Sequence, residues 1–317
     1  MRTGQSDLPR FLKGKQNMNA YDCLAAIKDG KRKSIILDTD TYNEVDDQFT
    51  VAYAMLSPDK INLLSVNAAP FLNSRSVSAA DGMEQSYKEI FKIMNLTDPE
   101  LAKKIPVYRG SDRFMTAKYD FVPSEACENI IRTVMNSEET VYIVAIGAIT
   151  NVASALLKCP EIAKKAVLVW LGGHALHWPD TKEFNLRQDI PGVQVVFDSG
   201  IALYQIPCNG VCSQFITSIP EVEYYLRGKN ALCDYLCDIV RSYPKDPFAW
   251  SKVIWDVTAI GAFTVPEAED CVVMPRPYVT GDGLYAFDAA RDPYMYVRRI
   301  RRDPLYADLF RKLASKK

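Results

Sequence analysis

The chain has 317 residues, 48% hydrophobic and 24% charged, with a formal net charge of -1. That length suits one large domain or two modest ones and needs no covalent staples to bury its apolar surface. The near-zero charge provides no global attraction to nucleic acid or an anionic membrane. No apolar run approaches membrane-span length and no secretory h-region is found, so the expectation is a cytoplasmic protein whose eight cysteines are reduced. The pairs Cys208/Cys212 and Cys233/Cys237 lack zinc-site spacing and read as small buried hydrophobes.

In chain order, residues 1–33 are polar and basic and are predicted to form a poorly ordered leader with a short helix, leaving 34–317 as a single domain. Ser34 to Leu37 is an apolar run that leads into an acidic cluster and then a helical pattern from Val45 to Met55, which reads as strand, loop, helix. The unit recurs. Strands are predicted at Ile61 to Ala69, Pro106 to Tyr108, Val141 to Ile146 and Ala166 to Leu171, the last running into Gly172 and Gly173. Helices are predicted between and after them at Gly82 to Met94, Ser124 to Met135 and Thr150 to Leu157. Beyond Ile206 the pattern is more helical, over Glu221 to Arg227, Ala231 to Tyr243 and Val253 to Phe263. The tail adds extended stretches at Asp270 to Met274 and Tyr294 to Arg299 and a helix from Pro304. Such alternation implies an α/β fold: an open, mostly parallel, Rossmann-like sheet with helices on both faces, extra C-terminal helices and a short β element. Sheets of this kind bind ligands beyond the carboxyl ends of their strands, which directs attention to the residues after Leu37, Ala69, Ile146 and Leu171.

Five carboxylates, Asp38, Asp40, Glu44, Asp46 and Asp47, follow the first strand, and no Lys or Arg occurs between Lys33 and Lys60. Carboxylates so crowded raise one another's pKa unless a counter-charge arrives, and a hard divalent cation is the simplest one. A helix N-terminus that favours acids accounts for Asp46 or Asp47, but not for Asp38 and Asp40 at a strand tip. An EF-hand loop needs Gly where Asn43 stands. A haloacid-dehalogenase phosphatase needs Thr where Tyr42 stands. A glycosyltransferase-type Asp-x-Asp leaves Asp46 and Asp47 unexplained.

The cluster and three later segments, taken in order, resemble the inosine–uridine nucleoside N-ribohydrolase family. Asp38-Thr39-Asp40 followed by Asp46-Asp47 is similar to its D-x-D-P-G-x-D-D, with two extra loop residues and no Pro-Gly. Gly147-Ala148-Ile149-Thr150-Asn151 is similar to G-P-L-T-N. Gly172-Gly173 with Glu183-Phe184-Asn185 is similar to M-G-G…E-F-N. Trp255-Asp256-Val257-Thr258-Ala259 is similar to H-D-x-x-A, with Trp for His. The resemblance spans about Ser34 to Phe263. It implies a calcium ion held by Asp40, Asp47, the Thr150 carbonyl and Asp256, with Asp40 also the general base. It implies that Asp46, Glu183 and Asn185 hold the ribose hydroxyls, with Asn43 or Glu44 of the longer loop as alternatives to Asp46. The family's ribose-binding Asn after the second strand has two candidates, Asn67 and Asn73, and its Asn before E-F-N falls on His177. It also implies a homodimer or homotetramer.

The residues support that chemistry independently. With only two histidines, His174 and His177, a multi-histidine zinc site is excluded, and no Gly-x-Ser-x-Gly elbow supplies a serine nucleophile. Carboxylates and a metal can activate water against an oxocarbenium-like centre. Trp255 beside Asp256 marks a purine-preferring subgroup by resemblance, with Trp178, Phe71 and Tyr42 as further pocket walls. The expected function is therefore calcium-dependent cleavage of ribonucleosides, purines preferred, to base and ribose. The alternatives are a protein that binds a ribosyl ligand without efficient turnover, and a metal-dependent phosphohydrolase built on Asp38 and Asp40.

Overall fold

The apolar runs at 141–145 and 166–171 are buried along their whole length, as central strands covered on both faces must be. In the computed structural model, which describes Asn19 to Lys316, the strands are β1 (Lys33–Thr39), β2 (Ile61–Ala68), β3 (Val107–Arg109), β4 (Val141–Ala145), β5 (Ala166–Leu171), β6 (Ala202–Ile206), β7 (Ile216–Ser218), β8 (Ser251–Val253), β9 (Glu269–Pro275), β10 (Tyr278–Val279), β11 (Tyr285–Ala286) and β12 (Pro293–Ile300). The helices are α1 (Ala20–Ile27), α2 (Asp47–Met55), α3 (Ala79–Thr97), α4 (Pro99–Ala102), α5 (Glu125–Asn136), α6 (Thr150–Lys158), α7 (Phe184–Gln188), α8 (Ile190–Asp198), α9 (Ile219–Leu226), α10 (Ala231–Ser242), α11 (Val257–Thr264) and α12 (Arg302–Ser315).

Eight strands form one sheet in the order β3-β2-β1-β4-β5-β6-β12-β9, all parallel except the antiparallel edge strand β9. Ile35, Leu37, Tyr142 and Val144 enter one core, while Ile36, Ile143, Ala145 and Trp170 enter the other. That is the two-residue period of a strand read out on opposite faces. The chain winds outward from β1 to β3, then returns to the far side of β1 as β4. The loops after β1 and β4 therefore part, and a crevice opens at their carboxyl ends.

The mostly parallel sheet agrees with the expectation, and the two small antiparallel ribbons β7–β8 and β10–β11 supply its short β elements. Two stretches differ. Val253 to Phe263, predicted as one helix, divides into the end of β8 and α11, because Val253 pairs with the distant Ile216. The segment from Gly173 to Ile206, for which no element is predicted, contains α7, α8 and β6. Of the expected leader, residues 1–18 lie outside the described residues. Part of the remainder is α1, whose Ala20, Cys23 and Ile27 are buried in a core. Among the described residues no helix is long and apolar enough to cross a membrane. None of the eight cysteines is in a disulfide, and six of them are buried, as small hydrophobes would be.

Candidate functional site

The crevice holds a cavity of about 190 Å³ lined from the tips of β1, β4, β5 and β6 and from the α2 and α11 N-termini. Asp40, the first residue after β1, is 1% exposed, and among the described residues none donates a hydrogen bond to either of its side-chain oxygens. Burial and the charges of Asp47, Asp46 and Glu183 raise its pKa well above the carboxylate range. Gly147 makes room for it: a Cβ there would sit 3.0 Å from the Asp40 carboxyl carbon. Asp38 lies deeper. Its Oδ2 accepts from Asn151 Nδ2 at 2.9 Å, and it does not line the cavity. Burial pushes Asp38 up to about 7, opposed by hydrogen bonds from Asn151 and Asn67. A phosphohydrolase needs Asp38 within reach of a substrate, so this placement corrects that alternative.

Three more carboxylates converge beside Asp40. Asp46 and Asp47 stand at the start of α2 and Asp256 at the start of α11, and each offers an oxygen within 4.8 Å of the others. Burial and mutual repulsion raise the pKa of Asp256 well above normal and that of Asp47 to about 7. Burial also raises Asp46, although Lys252 opposes it. Asp47 accepts from the Thr39 hydroxyl. Asp46 Oδ2 accepts from the Trp255 N–H at 3.1 Å, while its Oδ1 has no donor. Buried carboxylate oxygens without donors, packed this closely, suit a hard divalent cation.

The opposite wall is arranged differently. Glu183 caps α7. Its carboxylate accepts backbone N–H groups from Asn185 at 2.8 Å, Leu186 at 2.9 Å and Gly173 at 3.0 Å. Burial still raises its pKa, and those donors draw it back. Asn185 Nδ2 donates to the Ile146 and Leu171 carbonyls, both at 3.1 Å, and so ties the tips of β4 and β5 together. Gly173 has φ +74° and lies against Tyr285, where a side chain would not fit.

Of the expected residues, Asp40, Asn43, Glu44, Asp46, Glu183, Asn185, Trp255 and Asp256 line the cavity. Asp47 and Thr150 are buried and do not line it: Asp47 lies against Asp46 and Asp256, and the Thr150 hydroxyl donates to Asp189 Oδ2. Asn67 and Asn73 do not line it. Asn73 instead donates to Asn43 Oδ1 at 2.6 Å. Phe71 is fully buried, and Tyr42 lies under the Arg75 guanidinium. His177 and Trp178, expected at the substrate, do not line the cavity: both are exposed, on a loop where the Trp178 N–H donates to the Ala175 carbonyl. The other histidine, His174, lines the cavity, and burial lowers its pKa. Its position right after the β5 glycines was the available signal. Phe184, Cys208, Asn209 and Lys252 were not anticipated. Cys208 and Asn209 follow β6, a strand that was not predicted, and nothing near Lys252 in sequence indicates its place.

The profile of the family described as "Inosine-uridine preferring nucleoside hydrolase" matches residues 35–286. The pyrimidine-specific ribonucleoside hydrolase RihA of Escherichia coli O1:K1 / APEC is 28% identical over 168 residues, 45% of this chain and 54% of that protein. The chain thus spans about half the length of the curated relatives it matches. Among solved structures, the fold is similar to the purine-preferring ribonucleoside hydrolase from Gardnerella vaginalis, with a TM-score of 0.73 and 20% identity over 89% of this chain and 98% of that one. It is also similar to a plant nucleoside hydrolase, with a TM-score of 0.71 and 18% identity over 89% and 99% of the two chains.

Proposed function

The chain belongs to the inosine-uridine preferring nucleoside hydrolase family, and from that premise we propose that it hydrolyses the N-glycosidic bond of ribonucleosides to free base and ribose. The observation that carries this reading is Asp40: a buried carboxylate facing the cavity, free of protein donors and surrounded by other carboxylates. In the proposed site Asp40, Asp47, Asp256 and the Thr150 carbonyl would hold a calcium ion. When bound, that ion supplies positive charge that makes a nearby water easier to deprotonate. Asp40 takes the proton of the attacking water. Asp46, Glu183 and Asn185, with Asn43 on the loop above, accept and donate hydrogen bonds to the sugar hydroxyls, and fixing the ring lowers the barrier by orientation.

Trp255 lines the cavity, which supports a purine preference, since an indole there would offer a stacking face to the leaving base. The relatives' own names divide on this point, one pyrimidine-specific and one purine-preferring. In our reading the protein is cytoplasmic and forms a homodimer or homotetramer. The test is direct. Purified protein with calcium is incubated with inosine, guanosine, adenosine and uridine, and free ribose is followed. Faster release from the purine nucleosides is expected; no release from any of them would overturn the activity.

A further inference from the structure

Among the described residues, Lys252 is the only cation paired with a carboxylate of the cavity. It comes from β8, is 7% exposed, forms an ion pair with Glu44 and holds its Nζ 3.9 Å from Asp46 Oδ1. Two residues after β8, the Trp255 N–H donates to the other oxygen of Asp46. One short segment therefore engages both oxygens of Asp46. Asp47 and Asp256, whose oxygens lie within 4.8 Å of Asp46, have no cation paired with them among the described residues. The same lysine also ties down the lengthened loop. Glu44 is held by Lys252 at its side chain and by Arg75 at its carbonyl, at 2.9 Å, while Asn73 holds Asn43.

An ammonium group next to one of three clustered carboxylates opposes any second cation that enters among them, because like charges this close in a buried site repel strongly. Its charge faces the same Asp46 oxygen that has no hydrogen-bond donor, so the carboxylate is held in place from both sides. We propose that Lys252 is a positioning residue that reserves Asp46 for the substrate. It withholds this carboxylate from the divalent cation, aims it at a sugar hydroxyl, and through Glu44 fixes the loop at 41–45 as a wall of the pocket. Cation affinity is lowered and ligand affinity is raised by the same side chain. The inference rests on the proposed nucleoside-cleaving reading of the site.

The experiment uses the full chain and two readouts, calorimetric titration with calcium alone and steady-state cleavage of inosine. Lys252→Met is expected to bind calcium on the order of tenfold more tightly. Its KM for inosine should rise by a similar factor while kcat changes much less, and Lys252→Arg should restore both values towards wild type. A merely structural role would weaken calcium and inosine binding together. Lys252→Gln is neutral but still polar; it is expected to show the same gain in calcium affinity, and it carries the test if the methionine variant does not fold. Calcium affinity that is unchanged or weaker in the neutral variants overturns the inference. Wild-type protein that binds calcium but releases no ribose overturns only the proposed activity, since the calcium shift is read without turnover.

Discussion

The two walls of the cavity treat their carboxylates in opposite ways. Glu183 receives three backbone N–H groups, and Asn185 spends both hydrogens of its amide on strand-tip carbonyls. Across the cavity, both oxygens of Asp40 and one of Asp46 have no donor among the described residues, and Asp47 and Asp256 add their charges beside them. Burial is similar on the two sides, so burial alone does not explain the contrast. The Glu183 wall is completed by the chain's own backbone and is rigid before any ligand arrives. The aspartate wall carries an electrostatic debt that positive charge from outside would settle.

Substitutions break this comparison at different points, and the largest effect is expected at Asp40. Asp40→Asn keeps the shape but removes the proton acceptor, so kcat should fall roughly 10²- to 10⁴-fold, while the metal-free protein unfolds no more easily than wild type. Wild-type turnover in that variant would place the general base elsewhere.

The contrast itself is tested next by urea unfolding of metal-free protein. Glu183→Ala strands three buried N–H groups and should cost roughly 3 kcal/mol. Asp47→Asn relieves repulsion and should raise stability by about 1 kcal/mol. If both variants lose stability alike, the two walls do not differ as described.

A third test separates burial from crowding. Glu269 is fully buried away from the cavity, and burial pushes its pKa from 4.5 to about 7 against a hydrogen bond from Tyr204 and the Lys28 charge. Its folded value lies above its unfolded value, so the folded chain binds more protons between them. This contribution to stability is present at low pH and is lost as pH rises from about 4.5 to about 7. Glu269→Gln should remove that slope, gaining up to about 3 kcal/mol near neutral pH and above and nothing at acid pH. An unchanged pH profile would mean that burial alone has no such cost here. The smallest effect is expected at the rim: Trp255→Ala should raise KM for inosine by about threefold and for uridine by less, and equal losses would remove Trp255 from base recognition.

Much of the aspartate wall was legible because it is local. Asp40, Asp46 and Asp47 fall within one strand-to-helix connection, and the apolar run before them announces a strand tip. The glycines after β5 and the Glu183-Phe184-Asn185 run were legible only through their resemblance to a family motif, since nothing in their own composition marks a site. Alternating strand and helix periods likewise determined the parallel α/β architecture, since each period is written within about ten residues. The choice of His174 over His177 was not legible, because it depends on which way a single loop turns.

What the sequence by itself determined, then, is the order of elements and the residue types delivered to each strand end. Only the tertiary structure decided how those ends meet. The acidic stretch contains no base between Lys33 and Lys60, yet Lys252 reaches Glu44 across 208 residues of chain. It does so because β8 pairs with β7 and brings α11 to the crevice, a long-range pairing that leaves no periodic trace near either residue. Local patterns encode local geometry; the charge balance of the pocket is set by packing between segments that are distant in sequence.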